Sequence, residues 1–280
     1  MTDIKLALEH ATALLTPVSP SARLDAELLL SNILKVSRAF FYAHPEDALT
    51  ARQQAQYNEL LSKRVAGTPI AYLTGTREFW SLPIQVNEDT LIPRPETELI
   101  VELALSLLGE TSPASILDLG TGSGPIALAL ASERPDWQLL ACDKSQAAVN
   151  ATRDNAAQLG IHNLNVLCSD WFESIPKQQF EAIVSNPPYI AEHDPHLTQG
   201  DVRFEPRDAL VSGVTGLDDL THLIVHSQEW LIPGGLLLLE HGFEQGSAVI
   251  ALLDQYGYQQ VRCWKDWQGN DRISGGRAKS

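Results

Sequence analysis

The chain reads as an α/β protein: a doubly wound, mostly parallel sheet preceded by a helical bundle. Three observations predict this. From Glu96 onward, apolar runs of strand length alternate with helical stretches, the order that builds a parallel sheet covered on both faces. Those runs are continuous rather than alternating, as in Ala182-Ile183-Val184-Ser185, which is the pattern of strands buried on both sides. Residues 1–74, in contrast, carry a helical pattern.

Taken in order, Ile4, Leu8, Ala11 and Leu15 share one helix face, and Leu24, Leu28 and Leu29 continue the theme after Ser21. Thr50 is the expected cap of a helix reaching Val65. These elements form an N-terminal helical domain over 1–74, which either stabilises the rest of the chain or recognises a substrate. Residues 75–95 read as a hairpin linker, with Glu78-Phe79-Trp80, Leu82 to Val86 and Thr90-Leu91-Ile92, turning at Asn87-Glu88-Asp89. The third region, 96–280, holds strands at Ser115 to Leu119, Gln138 to Cys142, Leu164 to Cys168 and Leu236 to Leu239. Its helices are expected at Pro125 to Glu133, Lys144 to Leu159 and Leu217 to Leu231. Tyr258 to Cys263 and Asp271 to Ser274 are expected to close the sheet as an antiparallel pair.

The chemistry concentrates where strands end. Asn186-Pro187-Pro188-Tyr189 follows the run Ala182 to Ser185. Its prolines offer no backbone N–H and fix φ, so the carbonyls of Asn186 and Pro187 cannot join a regular ladder. With the Asn186 side-chain oxygen they make a rigid set of acceptors, suited to a planar NH2 group with both hydrogens to place, and Tyr189 adds an aromatic face. Upstream, Ser115 to Leu119 runs into Gly120-Thr121-Gly122-Ser123-Gly124 and then a helix start. Such a turn lets a ligand approach with no Cβ in the way, although it also serves as a plain structural join. The third glycine of the dinucleotide fingerprint would fall at Pro125, which favours a nucleoside over a dinucleotide. Asp143 ends the next strand, where it either accepts ribose hydroxyls or caps the following helix. Asp170 and Trp171 end the third, offering an acceptor and an aromatic surface for a purine, or core packing. In open α/β sheets ligands bind outside these strand ends, so one site would collect all four segments.

Composition bounds the partners. The 280 residues carry a formal net charge of −15 and are 44% hydrophobic, ordinary for a globular chain but poorly suited to gripping phosphates. No nucleic-acid partner is expected, and the acidic surface is compatible with a protein substrate that carries basic regions. Cys142, Cys168 and Cys263 have no paired spacing, so neither disulfides nor zinc are expected. His193, Asp194 and His196 sit in a proline-containing loop without a tetrahedral ligand set, and no metal is assigned to them. Asp3, Lys5 and Glu9 interrupt the first apolar stretch, a helix pattern rather than a secretory signal. No apolar run approaches the roughly 20 residues that span a membrane, and a cytoplasmic protein is expected.

With these motifs in place, the sequence resembles the class I S-adenosylmethionine-dependent methyltransferases, and Asn186 to Tyr189 looks like their (Asn/Asp)-Pro-Pro-aromatic motif. A narrower resemblance, to the release-factor glutamine methyltransferase family, rests on Arg64, Gly67, Pro69, Tyr72, Gly75, Glu78 and Phe79, followed by Leu91-Ile92-Pro93-Arg94-Pro95-Glu96-Thr97-Glu98. Gly200 to Pro206, Leu238 to Gly242 and Arg23 to Leu30 add to it. The resemblance implies a Rossmann-like methyltransferase sheet and methyl transfer from S-adenosylmethionine, leaving S-adenosylhomocysteine. The acceptor it implies is the glutamine of the Gly-Gly-Gln motif of class 1 peptide chain release factors. It implies that Gly120, Thr121, Gly122, Ser123, Gly124, Asp143, Asp170, Trp171 and Asn186 bind the cofactor. By the same carry-over Asn186, Pro187, Pro188 and Tyr189 hold the glutamine, with Asn186, Pro187 and Tyr189 catalytic. Arg94 and Glu96 either line this pocket or pair with each other, and Glu240 and His241 read as structural or pocket-lining. An adenine N6 or guanine N2 methyltransferase is the alternative, because base NH2 and amide NH2 make similar demands on an acceptor cluster.

Overall fold

The computed structural model describes residues 2–109 and 113–279. The chain divides into two compact units, Met1–Thr76 with Thr198–Phe204, and Arg77–Leu197 with Glu205–Ser280.

The first unit contains α1 (Ile4–Leu15), α2 (Ala22–Leu34), α3 (Arg38–Ala43), α4 (Ala51–Val65) and α5 (Ile70–Thr74). Helix α1 buries Ile4, Ala7, Leu8, Ala11 and Leu15, the expected stripe at helical spacing. Thr50 caps α4 through a reciprocal box with Gln53. The α2 face differs from the expected one: Ala22, Ala26, Leu29 and Leu30 are buried and Leu24 is exposed. The reason is that buried Asp25 and Glu27 occupy inward positions of this helix. Asp25 accepts from Ser19, Ser21 and Arg64, and Glu27 from Arg23 and Arg38.

A two-stranded ribbon, β1 (Thr76–Phe79) and β2 (Leu82–Gln85), follows, all but its first residue in the second unit. Its turn is at Trp80-Ser81, not at Asn87-Glu88-Asp89 as the sequence suggested. Both turn residues adopt left-handed φ, 51° and 60°, which matches the twist of a tight hairpin. Carboxylates hold Trp80 in this conformation: Glu98 accepts its backbone N–H at 2.8 Å and Glu133 its indole N–H at 2.7 Å. Asn87 to Thr90 instead forms a separate turn, with the Asp89 N–H donated to Asn87 Oδ1 and the Thr90 N–H to the Asn87 carbonyl.

After α6 (Glu98–Leu108), a seven-stranded sheet follows. It comprises β3 (Ser115–Leu119), β4 (Gln138–Asp143), β5 (Leu164–Cys168), β6 (Phe180–Ser185), β7 (Leu231–Glu240), β8 (Gln259–Lys265) and β9 (Asp271–Arg277). Helices α7 (Pro125–Glu133), α8 (Gln146–Leu159), α9 (Asp218–Ser227) and α10 (Gly246–Gln255) alternate with the strands. The order across the sheet is β5-β4-β3-β6-β7-β9-β8. β3 to β7 pair in parallel, and β9 enters antiparallel between β7 and β8, so the expected antiparallel closure is present. Strand order reverses between β3 and β6, the switch point where such sheets bind ligands.

The largest boundary differences from the sequence reading fall between α9 and β7. Helix α9 ends at Ser227 rather than Leu231, and β7 begins at Leu231 rather than Leu236, running through Pro233-Gly234-Gly235. A register shift between Phe180 and Ala182 absorbs the irregular segment, so the breaker residues mark a bulge and not a loop. The core beneath the sheet includes Leu117, Leu119, Ile183, Leu223, Leu237 and Leu239, all fully buried. Among the described residues no helix is long and apolar enough to cross a membrane.

Candidate functional site

Register brings the motif ends level. Leu119 pairs with Cys142 and with Ser185, Asp143 with Cys168, and Ser185 with Leu239. The residues that follow, Gly120, Ser169, Asn186 and Glu240, therefore emerge along one edge with Asp143. A cavity of about 510 Å³ opens there, lined by Gly120, Gly122, Asp143, Asp170, Trp171, Asn186 and Pro188, with Thr90 and Pro206 among the rest.

The glycine turn divides into exposed and structural halves. A Cβ on Gly122 would meet nothing within 4 Å, so this residue leaves open space beside the cavity, at a φ of +60° that favours glycine. Gly124 instead starts α7 with Pro125 at its first position. A Cβ there would lie 2.7 Å from Thr152 Cγ2. Thr121 and Ser123 are buried and do not line the cavity: the Thr121 hydroxyl donates to Asp118 at 2.6 Å, and the Ser123 carbonyl accepts from Asn155. Thr152 donates to the Gly122 carbonyl, so one face of α8 clamps the turn from below. The sequence reading passed over Thr152 and Asn155, whose only signal is polar side chains on the inner face of a helix.

Asp143 is not the cap of α8; Ser145 is, accepting from the Ala148 N–H. The carboxylate takes the N–H groups of Gly122 and Ser145, each at 2.9 Å, one on each oxygen. A carboxylate offers about four lone-pair sites, so acceptor capacity remains for hydroxyl groups. Burial raises its pKa, against these backbone hydrogen bonds and Lys144. Trp171 packs against the core and also faces the cavity. Its ring packs against the sheet core and lies 3.5 Å from where a Gly120 Cβ would be, forming one wall of the cavity. The residue has a left-handed φ of 46°, and its carbonyl accepts the Ser169 hydroxyl at 2.9 Å.

At Asn186 the structure adds a network. Asn186 Nδ2 donates to Thr97 Oγ1 at 3.1 Å, and the Thr97 hydroxyl donates to Glu240 Oε2 at 2.7 Å. The Tyr189 hydroxyl donates to the other Glu240 oxygen at 3.2 Å, so this phenol is turned toward Glu240. Pro187 is buried, while Asn186 and Pro188 face the cavity. Glu240 is 1% exposed, and burial raises its pKa to about 7 against Thr97, Arg272 and Tyr189, which favour the anion. Burial and the charge of Glu240 together push the Tyr189 phenol well above its ordinary range. Asp118 is likewise buried and raised to about 7, chiefly by desolvation. In the sequence Thr97 stands only within a family signature, and Glu240 reads as structural or pocket-lining. Yet the rule that singled out Asp143 and Asn186, position at a strand's carboxyl end, applies equally to Glu240.

Arg94 pairs with Glu205, whose other oxygen accepts the Ile92 N–H at 3.3 Å. It does not pair with Glu96. Glu205 is buried, so this ion pair anchors the segment carrying Pro206, Asp208 and Ala209 to the cavity wall. His196 Nδ1 lies 2.7 Å from Asp194, and among the described residues no three His, Cys, Asp or Glu side chains gather as a metal would need.

Comparison with known proteins matches both the N-terminal and the C-terminal part of the chain. A family model for the PrmC N-terminal domain matches residues 7–75, and one for the methyltransferase small domain matches residues 98–203. The release factor glutamine methyltransferase of Escherichia coli (strain K12) is 52% identical over 259 residues, covering 92% of this chain and 93% of that protein. Its namesake from Shewanella oneidensis is 48% identical over 271 residues, covering 97% and 94%. A solved methyltransferase from Pyrococcus furiosus aligns at a TM-score of 0.54 with 18% identity, over 71% of this chain and 90% of that one, a likeness of fold. With the glycine turn, Asp143 and Asn186 level on one sheet edge, and with relatives matched along nearly their whole length, the chain belongs to the release factor glutamine methyltransferase family.

Proposed function

We propose that this methyltransferase transfers a methyl group from S-adenosylmethionine to the side-chain amide nitrogen (N5) of the glutamine in the Gly-Gly-Gln motif of class 1 peptide chain release factors. The observation that carries the reading is the Asn186 amide: its NH2 is tied to Thr97, which leaves Oδ1 as the end free to accept. Neutral acceptors suit a planar NH2 with two hydrogens to place, whereas an ammonium, with three, has no lone pair to offer a methyl group until it is deprotonated.

The cavity residues fit S-adenosylmethionine: open space at Gly122, a carboxylate at Asp143 with acceptor capacity for ribose hydroxyls, and the Trp171 ring for the base. In this reading Gly120 and Gly122 let the ligand approach, Asp170 supplies a further acceptor, and Thr121, Ser123 and Gly124 keep the turn in shape. When bound, the cofactor supplies an electrophilic methyl group on a sulfonium. The protein's task is the nucleophile, because an amide lone pair is delocalised into its carbonyl, the resonance behind a peptide rotation barrier of about 18–20 kcal/mol. Asn186 Oδ1 and the Pro187 carbonyl accept the two N–H bonds, orient the nitrogen and stabilise the positive charge it develops. Pro188 keeps the corner rigid. The Tyr189 ring contributes a cation–π attraction of about 0.5–2 kcal/mol. The cationic nitrogen then loses its proton readily, so no strong base is required.

The net charge of −15 favours a basic protein partner over nucleic acid, and the helical unit is the natural candidate for recognising it. The test is to incubate the protein with labelled S-adenosylmethionine and either release factor or nucleic acid, and to locate the label by mass spectrometry. Methyl-glutamine in the Gly-Gly-Gln peptide is expected; label found only on nucleic acid overturns the reading. Asn186→Ala is expected to lower turnover roughly 10²- to 10³-fold, the cost of removing one preorganised polar group at a reacting centre. Full turnover in that variant would refute the role of Asn186.

A further inference from the structure

The Thr97 hydroxyl has one proton, and its direction is fixed by the neighbour that cannot give one back. Glu240 as a carboxylate only accepts, and it lies 2.7 Å from Thr97 Oγ1. With the proton committed there, Oγ1 has only lone pairs left for Asn186, 3.1 Å away. Only the NH2 end of the amide can meet a lone pair, so the carbonyl end is forced to the other side. Tyr189 spends its own proton on the second Glu240 oxygen, which keeps that oxygen from competing for Thr97. Thr97 also stands at the N-cap of α6, the place where a threonine ordinarily binds the helix's free N–H groups, yet its side chain makes no capping bond. The hydroxyl is spent on the network instead.

We propose that Thr97, held by Glu240, is a positioning residue that sets which end of the Asn186 amide faces the substrate. The inference rests on the reading of Asn186 given above. A carboxamide is nearly symmetric in shape, so packing alone does not distinguish its ends; a directed hydrogen-bond chain does. Without the Thr97 hydroxyl, the productive orientation leaves the Asn186 NH2 against an apolar wall with no acceptor. The flipped orientation presents an NH2 to the incoming NH2, donor against donor.

The experiment compares the full-length native protein with Thr97→Val, Thr97→Ser and Asn186→Ala. It measures kcat and KM for the release factor, the Kd for S-adenosylhomocysteine by calorimetry, and the melting temperature. Thr97→Val is expected to lower kcat roughly 10- to 100-fold, the cost of one unpartnered donor at the site, with KM and S-adenosylhomocysteine affinity within about two-fold. Thr97→Ser is expected to restore kcat to within about three-fold, because it returns the hydroxyl. If Thr97→Val does not fold, Thr97→Ala is measured against the same criteria. Native kcat in the hydroxyl-free variant, alongside a defective Asn186→Ala, overturns the relay and leaves the role of Asn186 standing. Parallel losses of kcat, ligand affinity and melting temperature, or no rescue by serine, also overturn it. Native kcat in Asn186→Ala removes instead the reading on which the inference rests.

Discussion

Both units of this protein bury carboxylates, and Asp25 and Glu27 of the helical unit are treated differently from Asp118 and Glu240 of the sheet unit, whose other buried acids, Glu205 and Asp266, pair with Arg94 and Arg272. In the helical unit both acids are met by arginines: Asp25 by Arg64 at 2.9 Å, and Glu27 by Arg23 and Arg38, each at 2.7 Å. Burial works to raise the pKa of Glu27, but hydrogen bonds and charge from Arg38 and Arg23 overcome it, and the net shift is downward. In the sheet unit Asp118 and Glu240 meet hydroxyls instead: Thr121 donates to Asp118, Thr97 and Tyr189 donate to Glu240, and desolvation dominates, raising both to about 7. Acids neutralised by arginine lock a fold together; acids whose side-chain hydrogen bonds come from hydroxyls stay sensitive to their surroundings. Asp118 and Glu240 lie near the carboxyl ends of β3 and β7, at the end of the sheet where the cavity forms.

The contrast can be broken by mutation and pH. The largest expected effect on stability is at Asp25, because Asp25→Ala leaves Arg64, whose side chain is only 11% exposed, facing a buried void. A loss of about 3–5 kcal/mol is expected in chemical denaturation; a loss under about 1 kcal/mol would show that Asp201, which Arg64 also meets, suffices alone. Next come the sheet-unit acids. Their folded pKa values exceed the unfolded ones, so the folded chain retains protons that the unfolded chain has released. The stabilisation is complete below the unfolded values near 4, and is lost as pH rises through about 7. Melting temperature should therefore fall between about pH 4 and 7, and Asp118→Asn with Glu240→Gln should flatten this slope. Glu27 has the opposite sign, since its depressed pKa gives stability that disappears only as pH falls through the folded value. Glu27→Gln should weaken the protein by roughly 1–3 kcal/mol at neutral pH, with the difference narrowing in acid. Equal slopes from both units would erase the distinction between them.

The smallest effect expected is on turnover. The anion of Glu240 is what directs the Thr97 proton, so kcat should rise a few-fold as pH climbs through about 7. The groups bearing on Glu240 are Thr97 and Glu96 from the segment before α6, Tyr189 after β6, and Arg272 on β9, itself bonded to Asp266. Glu240→Gln retains an acceptor for Thr97 and should lose the pH limb. Persistence of the limb in that variant would assign it to another group.

Much of the fold was legible beforehand because parallel strands buried on both faces leave continuous apolar runs, and their carboxyl ends gather ligand-binding residues. The hairpin was misplaced for a physical reason: Asn87-Glu88-Asp89 has turn chemistry, but the chain turns at Trp80-Ser81 because Glu98 and Glu133 compensate an unfavourable local conformation. Neither partner is near in sequence. The exposed Leu24 has a similar origin, since the buried ion pairs of α2 rotate the face that periodicity alone assigned.

By itself the sequence determined the order of strands and helices, the sharp glycine turn, and the proline-stiffened corner at Asn186. These depend on local properties: apolar period, absent Cβ atoms and absent N–H groups. The tertiary structure alone decided that Thr97, Asn186, Tyr189 and Glu240 meet, that Asp143 ties to Gly122 rather than capping α8, and that Glu205 rather than Glu96 takes Arg94. Hydrogen bonds and ion pairs form between atoms a few ångströms apart in space, and strand register brings together residues that sequence distance keeps separate.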